Sequence, residues 1–352
     1  MTIEVYERLA AALDRLPNGF PRTPAGTEIA ILQRICSPEE AELGAALSCT
    51  MEGADALAER LGRPRREVTH LLMGMVRRGM VWMDRHDGKL WVRLAPFVVG
   101  FYEAQLNTLD HELAHLVDRY FIEGGAAGIM GPEPSLQRVI PAQAATRAEW
   151  ILPYDDVRAI LEGANSFHVQ DCICRKQQDL IGHRKCDFPL EVCLNFSSAP
   201  ASESPGSLTR EEALALLDRT EEIGLVHTVS NVREGVGYVC NCCGCCCGIL
   251  RGITEFGLEH AIAHANYYSV IDPDLCIGCG ICVTRCQVGA IVLDGGLAVV
   301  DRAACIGCGL CVTGCPQEAA RLEPLPEAES IHPPETYADW EHQRMHNRGM
   351  AH

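Results

Sequence analysis

Cys276, Cys279, Cys282 and Cys286 stand at x2-x2-x3 spacing, and Cys305, Cys308, Cys311 and Cys315 repeat that spacing twenty-nine residues later, with Pro316 directly after. Thiolates are soft ligands that suit zinc and iron–sulfur clusters. Structural zinc sites pair their ligands as short C-x2–4-C units joined by a longer loop, so a fourfold run written twice is not a zinc spacing. It suits iron–sulfur cubanes. Three cysteines at x2 intervals wrap the iron corners with one tight loop. Gly278, Gly280, Gly307 and Gly309 let the backbone come close enough for N–H groups to face the cluster sulfurs. Each half carries the same surroundings: a β-prone run before it (269–271, 298–300), an Asp entering the loop (Asp272, Asp301), and a β-prone run after it (291–293, 320–322).

This module resembles the bacterial dicluster ferredoxins over residues 266–325. The resemblance implies a β-α-β repeat holding two [4Fe–4S] clusters, with the fourth cysteine of each run ligating the other cluster. It therefore implies Cys276, Cys279, Cys282 and Cys315 for cluster 1, and Cys305, Cys308, Cys311 and Cys286 for cluster 2. Gln287 departs from the pattern, standing where a proline would follow the last cysteine of the first run. Fully Cys-ligated clusters pass single electrons at potentials spanning roughly −700 to +450 mV, so the sequence does not set the direction of flow.

Ten more cysteines lie upstream: Cys172, Cys174, Cys186 and Cys193, then Cys240, Cys242, Cys243, Cys245, Cys246 and Cys247. The first four could hold one cluster alone. The two groups could instead cross-ligate, serve two further clusters with two thiols left over, or share one multinuclear cluster; a zinc site is the bland alternative. Arg175, Lys176, Arg184 and Lys185 flank the first group, and positive charge favours the thiolate. His168, His183 and His227 are further candidate ligands, with structural roles the simpler reading.

Cysteine usage at this density calls for disulfides to be considered first. Of the 20 cysteines, all but Cys36 and Cys49 lie between Cys172 and Cys315, often adjacent in sequence. Adjacent cysteines rarely bridge each other. Residues 1–10 lack the basic start and apolar stretch of a signal peptide. Metal ligation in a reducing cytoplasm fits better. No apolar run reaches the ~18–20 residues of a membrane helix. The expected setting is cytoplasmic, in an anaerobe or a low-oxygen habitat, with no membrane insertion.

The elements that must position these residues divide the 352-residue chain into several parts. Residues 1–95 read as an N-terminal helix and a winged helix-turn-helix: helices at 54–61 and 65–78, a turn at Gly62-Arg63-Pro64, and strands at 80–83 and 90–94 around Asp87-Gly88. This order resembles the winged-helix domains of bacterial transcription regulators. Residues 96–165 read as a helical connector and 166–265 as a Cys-rich iron–sulfur domain. Within the latter, Thr209 and Glu212 make a capping box that opens a helix to Ile223. The ferredoxin-like repeat occupies 266–325, and a loosely attached polar tail 326–352. The fold class is α+β multidomain. The whole chain is similar to a family of anaerobe proteins that join a winged-helix-like region, opening on a segment like Leu16–Pro21, to a C-terminal dicluster ferredoxin; the CxCR…C…C and CNCCGCCC segments match that pattern.

The chain is 47% hydrophobic but only 6% aromatic, so its cores should be aliphatic. A net charge of −17 argues against a chain built mainly to wrap nucleic acid and suits docking on a basic partner face. Arg65, Arg66 and Arg77, with Arg60, Arg63 and Arg78 nearby, are the weak candidates for DNA or partner binding. Cys36 and Cys49 should be buried apolar residues. His332, His342, His346 and His352 sit in the polar tail. Neither a dinucleotide fingerprint nor a P-loop occurs; a flavin site needs no short motif and stays compatible. The expected function is an iron–sulfur electron-transfer protein, or the electron-transfer subunit of an anaerobic oxidoreductase. Its partner would be a redox protein or a catalytic subunit, and its cofactors two [4Fe–4S] clusters with one or two further Fe–S clusters. The alternatives are a redox-sensing transcription regulator and an enzyme with an open-site middle cluster.

Overall fold

A computed structural model describes residues 2–146, 151–201 and 204–350. The chain forms two compact units, residues 1–132 with 344–352, and residues 133–343.

In the first unit, helix Thr2–Asp14 is followed by helices Thr27–Ile35 and Pro38–Ala46. The last opens with proline and a full capping box, Ser37 and Glu40, which satisfies two otherwise orphaned N–H groups. Helices Ala54–Leu61 and Arg65–Arg77 flank a turn in which Gly62 takes the left-handed conformation that closes the first of them. Strands Val81–His86 and Lys89–Leu94 pair antiparallel, and both turn residues, Asp87 and Gly88, have positive φ, as a two-residue hairpin requires. A short strand, Glu52–Gly53, joins the other edge of Lys89–Leu94. The elements expected at 54–94 are therefore present and in order. Aromatics are few but gathered: Phe20, Phe97 and Tyr120 pack with ring centroids 4.6–5.9 Å apart.

The second unit is built on a six-stranded antiparallel sheet. Its order is Gln137–Ile140, Val226–Ser230, Tyr238–Cys242, Glu191–Ser197, Ser166–Asp171, Ser207–Leu208. Helix Arg210–Ile223 starts on its expected capping box, Thr209 with Glu212. It buries Ala213, Leu216 and Leu217 against Phe167, Leu194, Val229 and Val239 of the sheet. Beyond it, strands Tyr267–Ile271 and Ala320–Pro324 pair with each other, and Ile291–Asp294 pairs with Leu297–Val300. The flanks of the two cysteine runs thus interleave.

Three expectations need correction. Residues 96–165 are not helical throughout, because Gln137–Ile140 is an edge strand of the large sheet. Its alternation was unreadable because Gln137 and Arg138 are both buried, the first beside Thr228 (3.1 Å) and the second on Asp155 (3.0 Å). The terminal segment is not loose: Tyr337–Asn347 is a helix. Within the second unit, Trp340 is 2% exposed and donates to Ser135 O at 3.0 Å. Within the first, Arg344 is fully buried and donates to Pro17 O at 2.8 Å. Finally, Cys36 is buried as expected but Cys49 is only partly so.

Candidate metal centres

The C-terminal cysteines sit on two short loops that each run into a helix, Ile281–Arg285 and Leu310–Thr313, entered through Gly280 and Gly309 with φ of 77° and 74°. A Cβ at Gly278 would meet Gly296 O at 2.0 Å, and one at Gly307 would meet Tyr267 O at 2.4 Å. Only glycine lets these loops pass so close to the neighbouring backbone. Cys276, Cys279, Cys282 and Cys315 line one cavity, with Ile271, Ile281 and Ala298 in its wall. Cys286, Cys305, Cys308 and Cys311 line a second. The fourth cysteine of each run has crossed to the other three.

The donor chemistry fits iron–sulfur clusters. Each cavity presents four thiols among mostly apolar side chains and glycines, with Gln317 in the first and Ser269 in the second and no carboxylate or imidazole in either lining. Sulfur acceptors are met by backbone donors: Ala298 N lies 3.5 Å from Cys276 Sγ, and Ala290 N lies 3.2 Å from Cys286 Sγ. Ser269 Oγ is 3.1 Å from Cys311 Sγ. Burial pushes the Cys308 thiol well up and that of Cys311 up to about 11. Thiolates there call for a compensating metal charge.

The ten middle cysteines separate into two constellations that cut across the sequence groups. Cys186, Cys243, Cys245 and Cys246 place all four sulfurs within 4.8 Å of one another. The remaining six close a ring in which each thiol touches two others, in the order Cys172, Cys174, Cys247, Cys242, Cys240, Cys193. The first sequence group is therefore not gathered at one point: Cys186 leaves it for the second group, and Cys172, Cys174 and Cys193 face Cys240, Cys242 and Cys247.

Period-two alternation explains the ring. Strand Tyr238–Cys242 sends Cys240 and Cys242 to one face. Asn241, between them, binds Val192 O (2.6 Å), Thr220 Oγ1 (3.1 Å) and His227 Nδ1 (2.5 Å) on the other. Cys193 comes from the neighbouring strand, while Cys172 and Cys247 each cap a helix start. Gln137 Nε2 lies 3.8 Å from Cys240 Sγ, and Thr228 Oγ1 lies 3.6 Å from Cys242 Sγ. Hydrogen bonds from Cys174 and Cys193 hold the Cys172 thiol well below its ordinary pKa, and those from Cys193 and Cys242 do the same for Cys240.

Arg175 stands between the two constellations. It is fully buried, with Nε 3.4 Å from Cys243 Sγ and the other two nitrogens each 2.6 Å from a backbone oxygen, of Pro189 and Asn241. Burial alone would lower its pKa, but the pull of Cys172 and Cys243 outweighs this and holds it above the usual guanidinium value. Of the other flanking cations, Arg184 donates to the backbone oxygens of Cys186 (2.8 Å) and Phe188.

Gln287 joins the middle cysteines to the C-terminal module. Its Oε1 accepts from Gly244 N at 2.9 Å, and its Nε2 donates to Gly224 O at 2.9 Å. A Cβ on Gly244 would lie 1.9 Å from Gln287 O. Proline, the residue expected here, has no side-chain donor or acceptor and could not make this bridge. Arg285 supports the same junction, donating to Glu221 O (2.9 Å), Glu222 O (2.8 Å) and Leu310 O (2.7 Å). The departure at Gln287 was visible in the sequence; its partners, and the buried Asn241–His227–Glu221 chain, were not.

The remaining candidates lie elsewhere. His168 contacts Pro205 O (2.8 Å), His227 contacts Asn241, and His183 is exposed. None of the three joins the four-sulfur group. His332 is hydrogen-bonded to Tyr154 (2.8 Å), His342 and His346 are exposed, and His352 lies outside the described residues. In the first unit, Arg60, Arg63, Arg65 and Arg78 are ion-paired with Glu52, with Glu39 and Glu67, with Asp55 and with Glu40, while Arg66 and Arg77 are exposed.

Residues 269–322 match the family model described as a 4Fe-4S dicluster domain. No curated protein and no solved structure matches the chain. No helix among the described residues is long and apolar enough to cross a membrane. The match and the donor sets mark the chain as an iron–sulfur protein with an electron-transfer role.

Proposed function

We propose that this chain is a cytoplasmic iron–sulfur electron relay, acting alone or as the electron-transfer subunit of an anaerobic oxidoreductase, in which the middle cysteine domain and the C-terminal module exchange electrons. When bound, [4Fe–4S] clusters supply one-electron chemistry and no substrate site. Cys276, Cys279, Cys282 and Cys315 hold one cluster, and Cys305, Cys308, Cys311 and Cys286 the other. The six-thiol ring Cys172, Cys174, Cys193, Cys240, Cys242 and Cys247 holds a further iron–sulfur centre.

The observation that carries the reading is the Gln287 bridge. Gln287 follows the ligand Cys286 directly, and its side chain binds the N–H of Gly244, between Cys243 and Cys245. A carrier module merely tethered to a separate domain has no need of such a contact. At the other end, Cys279 is exposed, with Leu275 and Ile277 around it at 50% and 64% exposure. That edge is where a redox partner meets the chain, and its identity sets the direction of flow. An enzyme reading needs an iron with an open position; ten middle thiols drawn into two closed constellations favour transfer over catalysis.

The 54–94 segment serves, in this reading, as a winged-helix-like docking module. Regulation through DNA has less support, because four of its six clustered arginines already have acidic partners.

Anaerobic purification with iron and sulfide counting tests the proposal. Two cubanes alone give about eight irons and eight sulfides per chain, and a ring-held cluster adds to both. Dithionite reduction should give EPR signals from magnetically interacting clusters. A preparation lacking acid-labile sulfide would refute the reading.

A further inference from the structure

We propose that Cys186, Cys243, Cys245 and Cys246 hold a single tetrahedrally coordinated thiophilic metal ion, zinc or iron, rather than part of an iron–sulfur cluster. All six sulfur pairs of this group are in contact. Cys186 lies 3.8 Å from Cys243 and 3.8 Å from Cys246, and Cys245 lies 3.8 Å from Cys243 and 3.6 Å from Cys246. The Cys243–Cys246 and Cys186–Cys245 pairs complete the set. Four points that all touch one another form a tetrahedron. A metal–sulfur bond of about 2.3 Å in tetrahedral geometry places its sulfurs about 3.8 Å apart. The observed edges match that spacing.

A cubane requires something else. Each of its thiolates binds a different iron, which spreads the four ligands around a much larger body. The C-terminal quartets provide the comparison within the same chain. Each quartet lines its own cavity, and among the described residues neither gathers its sulfurs within 4.8 Å. The six-thiol ring is likewise absent from the groups that meet this limit. Disulfides do not account for the contacts, since an S–S bond is about 2.05 Å long and adjacent cysteines are poorly placed to form one.

The surroundings suit a closed anionic site. Four thiolates on a divalent ion leave a net charge of −2, and the buried guanidinium of Arg175, 3.4 Å from Cys243 Sγ, offsets half of it. Cys243 and Cys246 are 1% and 2% exposed. Arg184 fixes the Cys186 loop through the Cys186 and Phe188 carbonyls. With four protein ligands no position is left for substrate. The site borders the Gln287 bridge, so zinc there would brace the junction, and iron would add a one-electron centre to it. It stands whether or not the chain relays electrons.

The test uses full-length protein purified anaerobically, with zinc, iron and labile sulfide measured in the wild type and in Cys186→Ser. The expected result is the loss of one zinc, or of one iron, with sulfide and the C-terminal EPR signals unchanged. Loss of several irons together with an equal number of sulfides would overturn the proposal, as would no change in metal content. X-ray absorption on the wild type needs no variant. At the zinc edge it should show an ion with four sulfur neighbours and no nearby metal; if the ion is iron, the oxidised protein should instead give the EPR signal of an isolated high-spin ferric ion, which Cys186→Ser abolishes. A metal–metal vector at the zinc edge, or no isolated ferric signal where the metal is iron, would refute the assignment. Cobalt reconstitution of metal-depleted protein should yield the intense visible bands of tetrahedral thiolate Co(II). In Cys240→Ser, a ring variant, the same ion should remain.

Discussion

Replacing Gln287 with leucine removes the bridge while keeping much of the side chain's volume. Two hydrogen bonds disappear, to Gly244 N and Gly224 O, both 2.9 Å long. A hydrogen bond contributes about 1 kcal/mol net, and a buried donor left without an acceptor costs about 1–3 kcal/mol. Gly244 is buried, so Gln287→Leu should destabilise the second unit by about 2–4 kcal/mol. Gly244→Ala attacks the same contact from the other side. Its Cβ would stand 1.9 Å from Gln287 O where ordinary contact begins near 3.4 Å, so the Gln287 backbone must retreat by more than an ångström. Because both changes open one interface, the double variant should cost less than the sum of the two. The assay is anaerobic denaturant unfolding followed by cluster absorbance, paired with hydrogen exchange of the 240–250 segment. In both single variants that segment should exchange faster, and electron exchange between the middle and C-terminal centres should slow. A Gln287→Leu protein within about 0.5 kcal/mol of wild type, with unchanged exchange at 240–250, would refute the reasoning.

Cys286→Ser should alter the EPR signal of the cluster shared with Cys305, Cys308 and Cys311 and leave the other intact; the reverse assignment follows if the cluster of Cys276, Cys279 and Cys282 changes instead. Arg175→Lys should strip metal from the middle domain without loss from the C-terminal module, because a lysine cannot reach Cys243, Pro189 and Asn241 at once; metal analysis decides this. Glu40 is a pH-dependent brace in the first unit. Burial works to raise its pKa, but hydrogen bonds from Ser37 and Arg78 outweigh that and hold it below the usual carboxylate value. A depressed carboxylate contributes stability above its unfolded pKa and loses it as pH falls through its folded one. The stability advantage of wild type over Glu40→Gln should therefore be intact at pH 7 and shrink only as the pH falls below the ordinary glutamate pKa of about 4.5, and an advantage that grew on acidification would contradict the assignment. Gel-shift with promoter DNA, using oxidised and reduced protein, should show no specific salt-sensitive complex.

The sequence alone marked the C-terminal segment as a 4Fe-4S dicluster module, as the family match over residues 269–322 shows. Ligand spacing there is local: eight cysteines, four glycines and their flanking strands lie within one short repeat, and the family pattern implied the crossed quartets that the cavities display. Local chemistry also fixed the Asp87-Gly88 hairpin and the Thr209 cap, since each depends on a few adjacent residues. The middle cysteines were different. Spacing along the chain grouped Cys172, Cys174, Cys186 and Cys193, but strand alternation and sheet pairing sorted the ten by face, sending Cys186 to Cys243 and the other three to Cys240, Cys242 and Cys247. Sequence distance carries no information about which sulfurs meet when the meeting runs across neighbouring strands and loops. The strand at Gln137–Ile140 escaped notice for a related reason, its polar residues being buried on partners far along the chain. Gln287 shows both halves of the problem. Its departure from the repeat could be read in the sequence, while its purpose, a hydrogen bond to Gly244 that ties the two cysteine domains together, exists only once the chain has folded.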